Sequence, residues 1–306
     1  MEIPSSAGLI DRLVSLQKQD KKLGQHYLVN DDFIDEAISF ADLSENDVVL
    51  EIGPGPGSLT AKLLETKAKV VAIELDEIAC EHLRFNFSVP ISNGQLTLIE
   101  GDVLQQKLPA ELTSVVANIP YQISSPLIEQ LVKHHRSGRG LNSITLLLQD
   151  EFATRLCMSE GPASRGPLGI NSAFEWNIVR GSKVPPHAFS PAPKIHSRIV
   201  HLSPLLEAIK LEKSAPTANL KLARQIVSTC FLERRKMMRN RLQTTPKRIS
   251  RVKGWYGKNY RAAAKKLLSQ GETIGLPTGW QEARPEKLNV EMWLTIAAWM
   301  EKFRDN

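Results

Sequence analysis

Asn118-Ile119-Pro120-Tyr121 is the tetrapeptide whose residue types best match a defined piece of chemistry. The exocyclic amine of adenine is a poor nucleophile because its lone pair is delocalised into the ring. Two acceptors, the Asn118 side-chain oxygen and the Ile119 carbonyl, can bind its two N–H groups, favour a pyramidal nitrogen and aim the lone pair at an incoming methyl group. Pro120 closes a strand in a turn, and Tyr121 offers a face on which an extruded base can stack. The catalytic gain would come from positioning and electrostatics. No strong general base is needed, since the methylated amine is acidic enough to give its proton to water.

A second constellation describes the methyl donor. Glu51-x-Gly53-x-Gly55-x-Gly57 departs from the Gly-x-Gly-x-x-Gly spacing that sets a dinucleotide pyrophosphate over a helix N-terminus. Glycines admit a ligand close to the backbone, while the leading acid would repel a pyrophosphate and attract a cationic amino group. A nucleoside with a positively charged tail fits, and S-adenosylmethionine is such a ligand. Glu74, 21 residues beyond Gly53, is placed to accept from both ribose hydroxyls, and Asp102 from the adenine amino group.

These residues share a setting. Val48–Ile52, Lys69–Ile73, Leu96–Glu100, Ser114–Ala117 and Ser143–Leu148 read as strands separated by helical stretches, with a late strand at Ser197–Leu202. Such alternation predicts an α/β, Rossmann-like parallel sheet whose strand ends bring Gly53, Glu74, Asp102 and Asn118 to one edge. Residues 184–204 are Pro-rich and read as an ordered loop leading into the late strand. Beyond Pro204 the pattern turns helical, near Leu220–Leu242, Tyr260–Leu268 and Val290–Phe303. The expected division is a methyltransferase domain over 1–208 and a smaller all-α basic domain over 209–306.

The 306 residues carry a net charge of +6, which conceals an asymmetry. Residues 206–306 hold 21 basic and 9 acidic side chains, net +12; residues 1–205 hold 18 and 24, net −6. A basic unit beside an acidic one points to a polyanionic partner. Between Lys221 and Lys266, 15 basic residues accompany a single acid, Glu233. Phe231, Met238 and Leu242 can form one buried stripe while Arg234, Arg235, Lys236, Arg239 and Arg241 meet RNA phosphates. Trp255, Tyr256 and Tyr260 could stack on bases or pack internally. No apolar run reaches the roughly 18 residues of a spanning helix, and Met1–Asp11 has no basic-then-apolar leader. The protein is thus expected to be cytoplasmic and off the membrane. The three distant cysteines suit neither a disulfide framework nor a metal site, and no metal is expected.

Over about residues 20–300 the chain resembles the small-subunit ribosomal RNA adenine N6,N6-dimethyltransferases of the KsgA type. The matching segments are Lys22-Leu-Gly-Gln-His-Tyr-Leu28, Glu51–Gly57, Glu74-Leu-Asp76, Gly101-Asp-Val103, Asn118–Tyr121, Leu148–Ala153, Val184–Lys194 and Arg234-Arg-Lys236. His26, where bacterial members usually carry Asn, looks like the archaeal and eukaryotic branch, and Tyr27 stands where Phe is usual. The resemblance implies that His26, Leu28, Gly53, Gly55, Glu74, Asp102, Val103 and Asn118 line an S-adenosylmethionine pocket. It also implies that Phe189 faces Tyr121 across the target base. The implied substrate is the 3′-terminal hairpin of small-subunit rRNA in an assembling particle, where two adjacent adenosines are each methylated twice by a monomeric enzyme. Two rivals stand beside this reading: a large-subunit rRNA methyltransferase of the antibiotic-resistance type, and a ribosome-assembly or nucleic-acid-binding factor for which catalysis is dispensable. The glycine spacing disfavours a nicotinamide dehydrogenase.

Overall fold

The computed structural model describes residues 3–17, 25–137, 140–205, 219–270 and 275–304. The chain forms two compact units, Met1–Ala153 with Ile178–Pro204, and Thr154–Asn177 with Leu205–Asn306. The expected 208/209 boundary lies outside the described residues, as do Lys22–Gly24 of the leading motif. Thr154–Asn177, expected in the first unit, packs with the second, because Ile170 and Phe174 are buried in one cluster with Leu222, Ile226 and Trp255.

In chain order the elements of the first unit begin with α1 (Ser6–Leu16), β1 (Tyr27–Leu28), α2 (Asp31–Ala41), β2 (Val48–Ile52), α3 (Ser58–Glu65), β3 (Lys69–Glu74), α4 (Glu77–Asn86) and α5 (Ser88–Ser92). They continue with β4 (Leu96–Glu100), β5 (Ser114–Asn118), α6 (Ser124–Ser137), β6 (Ser143–Gln149) and the start of α7 (Asp150–Cys157). After α8 (Pro167–Ser172) of the second unit come β7 (Trp176–Val184), β8 (Phe189–Ser190) and β9 (Ser197–Pro204). One seven-stranded sheet has the order β4-β3-β2-β5-β6-β9-β7, and β1 pairs with β8 in a separate two-stranded sheet.

Strands β2 to β6 pair in parallel, and all but the ends of β2, β3, β5 and β6 are buried, as near-continuous apolar runs covered on both faces require. The sheet is not wholly parallel: β9 runs antiparallel to β6, pairing Ser197 with Gln149 and Leu202 with Ile144. The Pro-rich loop joins β7 to β9, its neighbour in the sheet, without a crossover helix, and β9 is inserted between β7 and β6. The strand reading missed β7, whose mixed burial leaves no clean alternation, and the short β1–β8 pair. It also passed over α1, α2 and α6.

In the second unit the expected helix over 220–242 is two helices, α9 (Leu220–Phe231) and α10 (Met238–Arg241). The break has a backbone cause. Met238 N–H donates to the Ala283 carbonyl at 2.8 Å and Arg239 N–H to Gln281 at 2.9 Å, so these donors leave the helical ladder. Met238 and Leu242 are still buried, and Phe231 packs against the same core. Two further helices, α11 (Gly257–Gln270) and α12 (Val290–Glu301), complete the described part of this unit. Among the described residues no helix is long and apolar enough to cross a membrane.

The turn that feeds the site depends on Gly57, which starts α3 at φ +92°. A Cβ there would lie 2.5 Å from the Phe87 ring and 3.0 Å from Leu83. Replacing Gly57 with Ala should therefore cost about 2 kcal/mol or more from backbone strain and overpacking. Chemical denaturation reads this as a lowered midpoint; an unchanged midpoint would show that the loop relaxes without penalty.

Candidate active site

A cavity of about 290 Å³ opens at the C-terminal ends of β2, β3, β4 and β5. Its walls include Gly53 and Gly55 after β2, Glu74 ending β3, Asp102 and Val103 after β4, and Asn118 to Tyr121 from β5 onward. His26 and Tyr27 close it from β1. Four separate strand ends therefore meet in one place, as the sheet order requires.

The glycine loop turns through positive φ three times, at Gly53 (+65°), Gly55 (+54°) and Gly57 (+92°). At Gly55 an added Cβ would sit 2.8 Å from the Tyr27 ring, so the loop can lie against β1 only without a side chain. Glu74 holds the loop in place. Its Oε2 accepts from Gly55 N–H at 2.9 Å, and its Oε1 from the N–H groups of Leu75 and Asp76 at 2.8 and 2.9 Å. Burial pushes the Glu74 carboxyl above its ordinary value while these three donors pull it back down. Asp76 serves the neighbouring helix, since its Oδ1 caps α4 by accepting from Ile78 and Ala79, while its Oδ2 accepts from Gln17 and Gln25. Asp102 accepts from Leu104 N–H and the Gln105 amide while facing the cavity.

Glu51 does not play the part expected of it. It is 1% exposed and absent from the cavity wall, with Thr60 Oγ1 donating to its Oε2 at 2.7 Å. Burial pushes its carboxyl up to about 8. An acid at the penultimate position of β2 points into the covering layer, so it cannot meet a cationic tail.

At β5 the Asn118 amide is oriented by its own hydrogen bond. Nδ2 donates to the His26 carbonyl at 2.9 Å, which leaves Oδ1 as the acceptor. The His26 ring lies near-parallel to that of Tyr121, centroids 6.0 Å apart, and its Nδ1 sits 2.7 Å from the Pro191 carbonyl. The Tyr121 hydroxyl shares a 2.6 Å hydrogen bond with Ser197 Oγ.

Two expected site residues are elsewhere. Leu28 and Phe189 are cross-strand partners in the β1–β8 pair, and both lie in the apolar core with Ile34, Ala188 and Ile199. Phe189 is 4% exposed and lines no part of the cavity, because its strand partner Leu28 and the apolar cluster around it draw it inward. Ser197, which no sequence motif singled out, is what that segment presents to Tyr121.

The basic surface needs a similar correction. Arg241 is 4% exposed, paired with Glu233 and donating to the Thr229 carbonyl at 2.8 Å, so it holds the turn after α9. Lys236 pairs with Glu233 and Arg239 with Glu282, both at the surface. Arg234 and Arg235 line a cleft with Arg284, Lys287 and the acids Glu282 and Glu286, where Arg234 pairs with Glu286 at 3.5 Å and donates to the Ala163 carbonyl at 2.7 Å. Arg284 and Lys287 lie outside the 221–266 window, which is why charge density along the chain does not find them. Trp255 and Tyr260 are fully buried, whereas Tyr256 is 59% exposed. Among the described residues no group of three His, Cys, Asp or Glu side chains could hold a metal ion.

Residues 16–254 match the family model described as ribosomal RNA adenine dimethylase. A protein of Prochlorococcus marinus (strain MIT 9301) called ribosomal RNA small subunit methyltransferase A is 36% identical, covering 91% of this chain and 94% of that one. A Methanococcoides burtonii protein called a probable ribosomal RNA small subunit methyltransferase A is 38% identical over 71% of this chain and 74% of its own. Among solved structures, a dimethyladenosine transferase from Plasmodium falciparum superposes with a TM-score of 0.67 at 27% identity, covering 89% of this chain and 96% of that one.

Two measurements follow from the geometry. Glu51 takes up a proton on folding between the ordinary carboxylate value and about 8, so its contribution is complete at low pH and is lost as pH rises through that window. Stability of the cofactor-free protein should fall by up to about 1.4 kcal/mol per pH unit there, and Glu51→Gln should flatten the slope. Arg241→Ala should lower the melting temperature by roughly 3 °C or more, whereas Arg235→Ala should leave it unchanged and reduce the salt slope of RNA binding by about 1. A stable Arg241→Ala protein with weakened RNA binding would restore Arg241 to the RNA surface.

Proposed function

The chain belongs to the ribosomal RNA adenine dimethylase family, and from that membership we infer that it dimethylates N6 of adenosine in small-subunit rRNA, using S-adenosylmethionine. The substrate we propose is a pair of adjacent adenosines in the 3′-terminal hairpin, presented on an assembling small subunit, with the enzyme acting as a monomer in the cytoplasm. The observation that carries the reading is the convergence of the glycine loop, Glu74, Asp102 and Asn118–Tyr121 on one cavity.

The residues fit the cofactor. A side-chain-free cradle at Gly53 and Gly55, a buried carboxylate at the end of β3 and a second one after β4 match a glycine-contacting nucleoside with ribose hydroxyls and an adenine amine. Glu74 and Asp102 would hold those groups, with His26, Gly53, Gly55 and Val103 enclosing them. When bound, S-adenosylmethionine would supply an electrophilic methyl group, the electrons of the broken methyl–sulfur bond staying with the sulfur of the departing thioether.

The rest is done by the chain. Asn118 Oδ1, fixed as an acceptor by the bond from Nδ2 to His26, and the Ile119 carbonyl take the two N–H groups of the target amine. Pro120 sets the turn that brings these acceptors together, and Tyr121 stacks against the base. As the new N–C bond forms, the nitrogen becomes cationic and gives its proton to water. After one methylation a single N–H remains for one acceptor, and the same geometry directs the second transfer. In the basic unit, Arg234, Arg235, Lys236 and Arg239 are proposed to meet phosphates, joined by Arg284 and Lys287, which line one cleft with Arg234 and Arg235.

Incubating the protein with labelled S-adenosylmethionine and undermethylated small subunits should incorporate up to four methyl groups per particle. Asn118→Ala should lower the rate by about 100-fold or more while leaving RNA binding within two-fold. Incorporation into free large-subunit RNA in place of small subunits, or an unchanged Asn118→Ala rate, would overturn the reading.

A further inference from the structure

The chain running from the Pro-rich segment into the first residue of β9 makes two polar contacts with residues of the cavity wall. The Pro191 carbonyl engages His26 Nδ1 at 2.7 Å, and the Ser197 hydroxyl meets the Tyr121 hydroxyl at 2.6 Å. His26 and Tyr121 are themselves near-parallel neighbours, and the His26 carbonyl receives the Asn118 amide. This stretch thus touches both rings beside the acceptor pair, one at each end.

We propose that Ser197 is a positioning residue for methyl transfer: its hydroxyl pins the far end of the Tyr121 ring and so sets the surface against which the target adenine stacks. The proposal rests on the base-stacking role of Tyr121 given above.

The physical argument begins with the backbone. Ser197 opens β9 in antiparallel register with Gln149 of β6, so its Cα is fixed by the sheet. Its side chain is fully buried and has a single rotatable torsion before the hydroxyl, which makes that oxygen a stationary anchor. Tyr121 lies in the turn following β5, where its ring has two torsions to settle. A hydrogen bond at the phenolic end, the point farthest from the backbone, restrains both. Without it the ring must be ordered each time a base arrives, and ordering a side chain on binding is a recurring cost.

A double-mutant cycle tests this, with Ser197→Ala, Tyr121→Phe and the combination assayed on undermethylated small subunits. Each single change removes one end of the same bond. Each should lower kcat by roughly three- to ten-fold, with S-adenosylmethionine affinity and RNA affinity within two-fold of wild type. The double variant should be no slower than Tyr121→Phe, and Ser197→Thr, which keeps the hydroxyl, should recover most of the rate. Penalties that multiply in the double variant, or a Ser197→Ala loss of cofactor affinity that tracks the loss of rate, would overturn the proposal. Should Ser197→Ala not fold, Tyr121→Phe alone decides: an undiminished kcat refutes the anchor. A wild-type protein that methylates nothing would instead defeat the functional reading beneath it, a distinguishable result.

Discussion

Gly55 can turn through positive φ and stay there because the Glu74 carboxylate takes its N–H, and that one bond ties the ends of two neighbouring strands together. The same carboxylate accepts from the two backbone N–H groups that follow it, so β3 ends in a turn organised around its own last side chain. Everything at the site inherits this arrangement. The glycine loop cannot collapse into the cavity, Tyr27 can lie against the loop where a Cβ would otherwise stand, and Asp76 is left at the position from which it caps α4. Glu74 is a buried acid whose Oε1 is filled by two backbone donors, while Oε2 accepts only from Gly55 and keeps one lone pair for a further donor, such as the sugar hydroxyl proposed for it. That dual use explains why the cavity can be preformed.

The apolar runs and the residues that end them made the four parallel strand ends legible in the sequence, and those ends suffice to locate Gly53, Glu74, Asp102 and Asn118. What escaped was of two kinds. Contacts between distant segments, such as Ser197 with Tyr121 or Pro191 with His26, are set by a Pro-rich loop whose path no periodicity encodes. Side-chain direction was the other. Residue type suggests the roles of Glu51 and Arg241 and the family resemblance that of Phe189, yet each is buried against partners that only the folded chain supplies: Thr60, Glu233 with the Thr229 carbonyl, and the β1–β8 core. Similarly, the break between α9 and α10 comes from backbone donors captured by residues 281 and 283, which lie some 40 positions away.

The net charge of +6 joins two populations with different work. In the first unit two of the acids, Glu74 and Asp102, sit at strand ends, where they accept from backbone N–H groups and face the cavity. In the second, the arginines are divided between structural service, as at Arg241, and a cleft lined by Arg234, Arg235, Arg284 and Lys287. A count of basic residues along the chain therefore mixes side chains held by internal partners with those that line the cleft.

The central claim is that the Asn118–Tyr121 turn receives adenine and that the cavity beside it supplies the methyl groups. Nucleoside mass analysis of small-subunit RNA after reaction, with the modified positions mapped, tests this most directly. The expected product is N6,N6-dimethyladenosine at two adjacent adenosines of the 3′-terminal hairpin, appearing only with S-adenosylmethionine present. Unmodified adenosines there, or methyl groups on another base or another ring position, would contradict it.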